Sequence, residues 1–549
     1  MARARLLLSK MWFGWIVLVA LVASGVVAHA QSQPAAPLRK TCTVNTNPPN
    51  PAETALNKGD FAPAEALFRA LLAKSADNEA AHEGLIRTML ALDKVNDAAK
   101  DAEAWTAASP ASSMALTALG DALLRQGNPR DAYMRFQKAA LADLCNARAY
   151  YGMAEVNTLA GNHATAKKEI DQAYKLHPTD DDINSAWIGT LPRNERLAKW
   201  TDYVEHSDQI SEENRTKQKT LLEKESLYHA SDCRMTPSSP KEATVPIAAV
   251  MDGTTRFIGY GLDVQFNGKR RRLQIDTGAS GITISRAAAM FLGIQRQDAT
   301  KTQGIGDQGD VKTSVTHVAS IKIGGIEFTN CAVEILEKWG TLDSDGLIGG
   351  NVFSGSLLTL DFPKKELRLA PLPERPEDKK GEAASSVAKG DDETVEPHDQ
   401  YIAPGMEKWQ WIYRSGHDLL MPTGIVQTKR MKDESAWKEK LFILDTGAES
   451  NIISPAAAKE VTKVSRDDSM EISGISGAVN KVYETNNFTL AFAGLRLDAP
   501  SMTSIDTTKT SHDVGIEVSG FIGAPALYQV VLHIDYRDNL VWCEYTPKK

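Results

Sequence analysis

Two hydrophobic patterns divide this chain near its middle. From about residue 45 to 180, Ala- and Leu-rich runs place apolar residues at helical intervals, with a longer period of 34 laid over them. Gly59, Asp93, Gly127 and Gly161 stand 34 apart; five residues after each comes Ala64, Ala98, Ala132 or Ala166, and nine after each comes Phe68, Ala102, Phe136 or Ile170. Pro110 and Pro178 hold matching places near the ends of the second and fourth units. The spacing predicts four repeated helical units, each with a turn residue, a small residue for close helix contact and a wedge side chain in most. A polar helical run over about 194–228 is expected to cap them, followed by a Ser- and Pro-rich linker over 231–242.

Beyond residue 245 the pattern shortens to the alternation of strands. The run Leu273-Gln274-Ile275 ends in Asp276-Thr277-Gly278-Ala279, and Phe442-Ile443-Leu444 ends in Asp445-Thr446-Gly447-Ala448. Gly304-Ile305 lies 28 residues after Asp276, and Gly474-Ile475 lies 29 after Asp445, each in a polar, Gly-rich turn that predicts a hairpin tip. Gly346-Leu347-Ile348-Gly349 answers to Gly520-Phe521-Ile522-Gly523, and 12 residues after each comes Asp361 or Asp535 in a closing strand. Residues 245–370 and 405–547 therefore predict two copies of one β-rich unit. The charged, Pro-containing stretch 371–400 between them is expected to be disordered, with a random-coil span of roughly 30 Å.

The β-rich half resembles the retroviral-type aspartic peptidases and their bacterial relatives, and by its two-lobed arrangement the pepsin-like enzymes. The helical half resembles tetratricopeptide repeats. The fold class expected is thus an α-helical solenoid followed by two all-β barrel lobes. The resemblance implies an aspartic endopeptidase with Asp276 and Asp445 as its catalytic pair and Thr277, Gly278, Thr446 and Gly447 in support. Gly304, Ile305 and Gly306, with Gly474, Ile475 and Gly477, would form flaps over an extended peptide. Two adjacent carboxylates suit this chemistry because they cannot both ionise cheaply, so that one keeps a proton while the other serves as base toward water. Thr can tie neighbouring loops together, and Gly allows close backbone approach. The two copies are expected to pair within one chain; pairing between two chains is the alternative. An inactive peptide-binding or assembly scaffold is the competing function, and self-cleavage in the linker a third. Glu449, where the first copy has Ser280, would raise the dyad's titration or bind a substrate amine.

Composition narrows the setting. Arg3, Arg5 and Lys10 precede an apolar run from Met11 to Val27 and then Ala28-His29-Ala30, the order of a secretory signal over residues 1–30. Its removal would take three positive charges and no negative ones, moving the net charge from −8 to −11. The reading is of an exported, periplasmic or extracellular protein, touching a membrane only through an uncleaved N-terminus. A mildly acidic chain has no electrostatic footprint for nucleic acid. No Cys-x-x-Cys, His-Glu-x-x-His or phosphate-loop pattern occurs, so no metal and no cofactor is expected. The 5 cysteines are an odd number without short spacing, which leaves at least one thiol unpaired within the chain. The expected partners are a peptide or protein substrate and a protein bound by the repeats.

Overall fold

The structure, a computed structural model, describes residues 41–228, 233–252, 256–302, 304–307, 309–337, 345–376 and 397–545. The expected signal segment lies outside the described residues, as does 377–396 of the segment expected to be disordered.

Helices alternate with short turns from Pro51–Asn57 to His163–Leu176. The residues 34 apart sit where one helix of a pair turns into the next: Gly59, Gly127 and Gly161 have φ of 81°, 79° and 85°, and Asp93 has 56°. This left-handed backbone suits Gly and is tolerated by Asp. Ala64, Ala98 and Ala132 are fully buried at the helix contacts, and Phe136 fills the space over Gly120 and Gly152, where an added Cβ would come within 2.4 Å of its ring. Asn78, Ser112, Asn146 and Asp180, also 34 apart, cap the first helix of successive pairs by accepting a backbone N–H. Cys42 and Cys145 are joined in a disulfide. Helices Asp181–Gly189, Arg193–His206 and Glu212–Leu227 continue the run, and Tyr228 then reaches the first sheet through Glu334 (2.8 Å).

Among the described residues, three larger sheets make up the β region. In a nine-stranded sheet, strand Gly346–Gly349 runs parallel to Lys269–Asp276 with Gly349 opposite Asp276. In an eight-stranded sheet, Gly520–Ile522 runs parallel to Lys438–Leu444 with Ile522 opposite Leu444. The closing strands Leu357–Asp361 and Val530–Asp535 pair antiparallel, Leu358 opposite Ile534, at the centre of a six-stranded sheet. Alternate residues such as Leu358, Leu360, Leu532 and Ile534 are fully buried in a core that reaches into both larger sheets.

Two expectations are corrected. The stretch 231–242 is not simply a linker: Arg234–Met235 pairs with Thr329 and Phe328, and Cys233 is bonded to Cys331. Nor are the ends of 371–400 disordered. Arg375, 8% exposed, lies 2.6 Å from Asp538, and Asp399 accepts from the Thr165 N–H and hydroxyl at 2.8 and 2.7 Å. A buried ion pair and caps on a helix start hold these ends. The odd thiol is Cys543, buried in the six-stranded sheet, where desolvation pushes it up to about 12.

The helical region packs on the eight-stranded sheet. Leu124, Phe136 and Val156 share one apolar cluster with Ile443, Ile516 and Phe521, and Asn539 donates to the Leu159 carbonyl (3.3 Å).

Candidate active site

Strands Lys269–Asp276 and Lys438–Leu444 each carry buried apolar residues up to the turn, which delivers the following Asp at its mouth. Reciprocal hydrogen bonds hold the two turns together. The Thr277 hydroxyl donates to the Leu444 carbonyl (2.6 Å) and accepts from the Thr446 N–H (3.0 Å); the Thr446 hydroxyl donates to the Ile275 carbonyl (2.9 Å) and accepts from the Thr277 N–H (3.1 Å). Both threonines are buried, so each hydroxyl satisfies groups that have no other outlet.

Within this frame Asp276 and Asp445 face each other across the two turns, close enough for each carboxyl to act on the other. Each also caps its own turn: Asp276 Oδ1 accepts from the Gly278 N–H (2.9 Å), and Asp445 Oδ1 from the N–H groups of Gly447 and Ala448 (2.8 and 2.9 Å). The glycines face across the pair. A Cβ on Gly278 would lie 2.9 Å from Asp445 Cγ, and one on Gly447 would lie 2.4 Å from Asp276 Cγ. Desolvation raises both carboxyls above the usual range; the negative charge of Asp445 raises Asp276 further, whereas backbone N–H groups restrain Asp445. The pair therefore shares one proton, with the stronger upward push on Asp276.

The other predicted residues form a second contact. Gly304, Ile305 and Gly306 lie at the tip between strands Asp298–Thr302 and Val311–Ile323, while Gly474 and Gly477 face each other in the short hairpin Ser473–Ala478. The two tips touch: the Ser476 N–H donates to the Ile305 carbonyl and the Gly304 N–H to the Ser476 hydroxyl, both at 3.0 Å. Ile475 packs over Gly304 and Ile305 over Gly474, contacts that a Cβ on either glycine would obstruct.

Glu449 is engaged otherwise than expected. Both its oxygens accept from Arg256 Nη2 (2.9 and 2.8 Å), a bridge from the first sheet to the second. Sequence reading also missed Asp418. Leu420 stands opposite Ile443 and Leu419 follows, so continuing the register sets Asp418 abreast of Asp445 on the same face. Desolvation raises Asp418, and the Asp445 charge adds to that, against the pull of His417 at 3.7 Å. Tyr528 was missed as well; its hydroxyl donates to the Thr446 carbonyl (2.8 Å). Nothing in the sequence marks either residue, because Asp418 reaches the site by strand pairing and Tyr528 from the end of a short helix far downstream.

Among the described residues no group of His, Cys, Asp and Glu is arranged to hold a metal ion, and no helix is long and apolar enough to cross a membrane.

Residues 262–352 match the aspartyl protease family. The matched span contains Asp276 and ends just after Gly349; Asp445 lies outside it. Among solved structures, the chain is similar to an aspartic proteinase from Irpex lacteus, at 12% identity over 56% of this chain and 97% of that one, with a TM-score of 0.32. It is also similar to TTC0263, a thermophilic TPR protein in Thermus thermophilus, at 20% identity over 32% of this chain and 96% of that one (TM-score 0.26). MamA gives 18% identity over 29% of this chain and 99% of that one (TM-score 0.20). No curated protein matches the chain in sequence.

Proposed function

We propose that this protein is an aspartic endopeptidase, built from two copies of one β unit that share a single site within the chain. The observation that carries this reading is the facing carboxyl pair, Asp276 with Asp445, held between two turns by the exchange of threonine hydrogen bonds. The aspartyl protease match over residues 262–352 supports it. In this mechanism ionised Asp445 takes a proton from water as the water oxygen bonds to the scissile carbonyl carbon, and protonated Asp276 donates its proton to the carbonyl oxygen. The tetrahedral adduct then collapses: a hydroxyl proton returns to the dyad, the C–N bond breaks, and the amine leaves with the proton Asp445 had accepted. The hairpin tips at Gly304–Gly306 and Gly474–Gly477 would fold over an extended peptide, which main-chain hydrogen bonds would hold. We further assign the helical region to recruitment of a protein partner or substrate, and the mature chain to the periplasm or exterior.

The test is mass-spectrometric mapping of cuts in a diverse peptide mixture. Asp276→Asn and Asp445→Asn are each expected to abolish cutting by a sedimenting monomer. One variant keeping about half the activity would indicate separate sites in a homodimer instead. The absence of cuts by the unsubstituted chain from about pH 3 to 8, a range that brackets a shared-proton dyad, would point to the scaffold.

A further inference from the structure

The helical region holds a cavity that the proposed hydrolysis does not use. It measures about 270 Å³ and lies between helices Glu79–Ala91, Ser113–Arg125 and Ala147–Ala160 on one side and the β region on the other, where His512 and Gly515 line it. Such a volume is below that of a typical small-molecule site and suits one long side chain.

The charges around it do not balance. Arg87 donates to Asp182 (2.6 Å), Arg148 to both Asp180 (2.8 Å) and Asp182 (3.1 Å), and Arg125 to Asp93 (3.1 Å). Each arginine is thus matched, and Glu83, Asp121 and Glu155 remain with no cation in hydrogen-bonding reach among the described residues. Asp121 Oδ2 and Glu83 Oε1 are closed off from solvent without a protein hydrogen-bond partner, and Arg148, only 9% exposed, leaves Nε unsatisfied. Glu155 has the Tyr151 hydroxyl at 2.8 Å. Unpaired buried carboxyls are costly. Desolvation accordingly pushes Glu83 up to about 7, Asp121 to about 6 and Glu155 to about 8, against the pull of Arg148 on all three and of Arg87 on Glu83 and Asp121. The same cavity has apolar wall from Leu90, Ala91 and Leu124.

We propose that this cavity receives the side chain of a lysine or arginine from a bound polypeptide, its cationic head against Asp121 and Glu155 and its stem along Leu90 and Leu124. The proposal rests on the recruiting role given to the helical region and is independent of catalysis. It deepens that role, because the basic residue would be anchored beside the turn that leads into strand Gly520–Ile522, the neighbour of the strand that Asp445 follows.

Binding is measured by titration calorimetry on the mature Asp276→Asn chain, so that no cleavage intrudes. The probes are two capped hexapeptides that differ only in one lysine or its isostere norleucine. The lysine peptide is expected to bind at least about tenfold tighter. It should also release protons at about pH 7, because a cation favours the ionised carboxyls; buffers of different ionisation heat read that release. Asp121→Asn with Glu155→Gln should remove both the preference and the release while norleucine-peptide binding and helix content stay unchanged. Glu155→Gln alone, the milder change, should weaken both. His512→Gln, which removes the imidazole on the β side, should leave the proton release in place. No binding of the lysine peptide, equal affinities, or a preference that survives the double variant would overturn the proposal. Cleavage of the same peptides by the unsubstituted chain is scored separately and bears only on the peptidase reading.

Discussion

Asp445 has a charged neighbour that its partner lacks. Asp418 stands abreast of it, whereas the first sheet has Gly259 at the equivalent place, two residues before the Gly261 that faces Gln274. The negative charge of Asp418 helps to hold the proton on Asp276. Activity requires one proton on the dyad, so it is lost at low pH when both carboxyls are protonated and at high pH when both are ionised. Asp418→Asn removes a charge that opposes the second ionisation. The high-pH limb of the rate profile should therefore move to lower pH while the low-pH limb moves less, as a kcat/KM profile will show. A limb that stays in place would mean that Asp418 is screened from the dyad. The carboxyl pair and its threonines are legible from the duplicated Asp-Thr-Gly-Ala turns, because the chemistry is written in adjacent residues. Asp418 is not, since its position follows from a strand register.

At the level of elements, the helical units are held by one repeated device. Phe136 lies between Gly120 and Gly152, one on each neighbouring helix, and at the same time belongs to the cluster that continues into Ile443 and Phe521. Gly152→Ala forces a methyl into the ring's space and should cost about 1–3 kcal/mol; Phe136→Ala leaves a void and should cost about 3–5 kcal/mol. Urea unfolding measures both, and an unchanged midpoint for Gly152→Ala would show that the ring can move aside. The period of 34 exposed the turns and wedges because each unit repeats its own local contacts. It also contained the caps Asn78, Ser112, Asn146 and Asp180, whose chemical variety hid them. The disulfides join residues 103 and 98 positions apart, and strand Arg234–Met235 is only two residues long, so neither leaves a periodic trace. The buried Arg375–Asp538 pair was likewise hidden, inside a stretch whose composition reads as unstructured.

For the whole molecule, the helical region concentrates carboxyls that are harder to ionise in the folded chain. Besides Glu83, Asp121 and Glu155, desolvation raises Glu169 to about 7 and Asp181 to about 6. These carboxyls thus bind more protons in the folded state than in the unfolded one between about pH 4 and 8, and their contribution to stability falls as pH rises through that window, while His163, His177 and His533, lowered chiefly by desolvation, oppose it in the acid part. Asp180 acts in the opposite sense: although desolvation pulls it upward, Arg148 and Arg87 hold it below the usual range, so its contribution is lost only at more acid pH. Melting followed by circular dichroism should show a falling transition temperature from about pH 5 to 8, and a rising one would contradict this account of the carboxyls.

The antiparallel pairing of Leu358 with Ile534 and of Leu360 with Leu532 has another implication. These central strands come from opposite sides of residues 377–396, and hydrogen bonds, packing and the Arg375–Asp538 pair join the two sides independently of the covalent link. A chain cut once within 377–396, at an engineered protease site, should elute as one species and retain the activity of the intact chain; two separate peaks would refute this. Chain continuity there is then a matter of stoichiometry. It delivers one Asp276 for every Asp445 at high effective concentration, and so excludes the mismatched assemblies that two separately made halves would form.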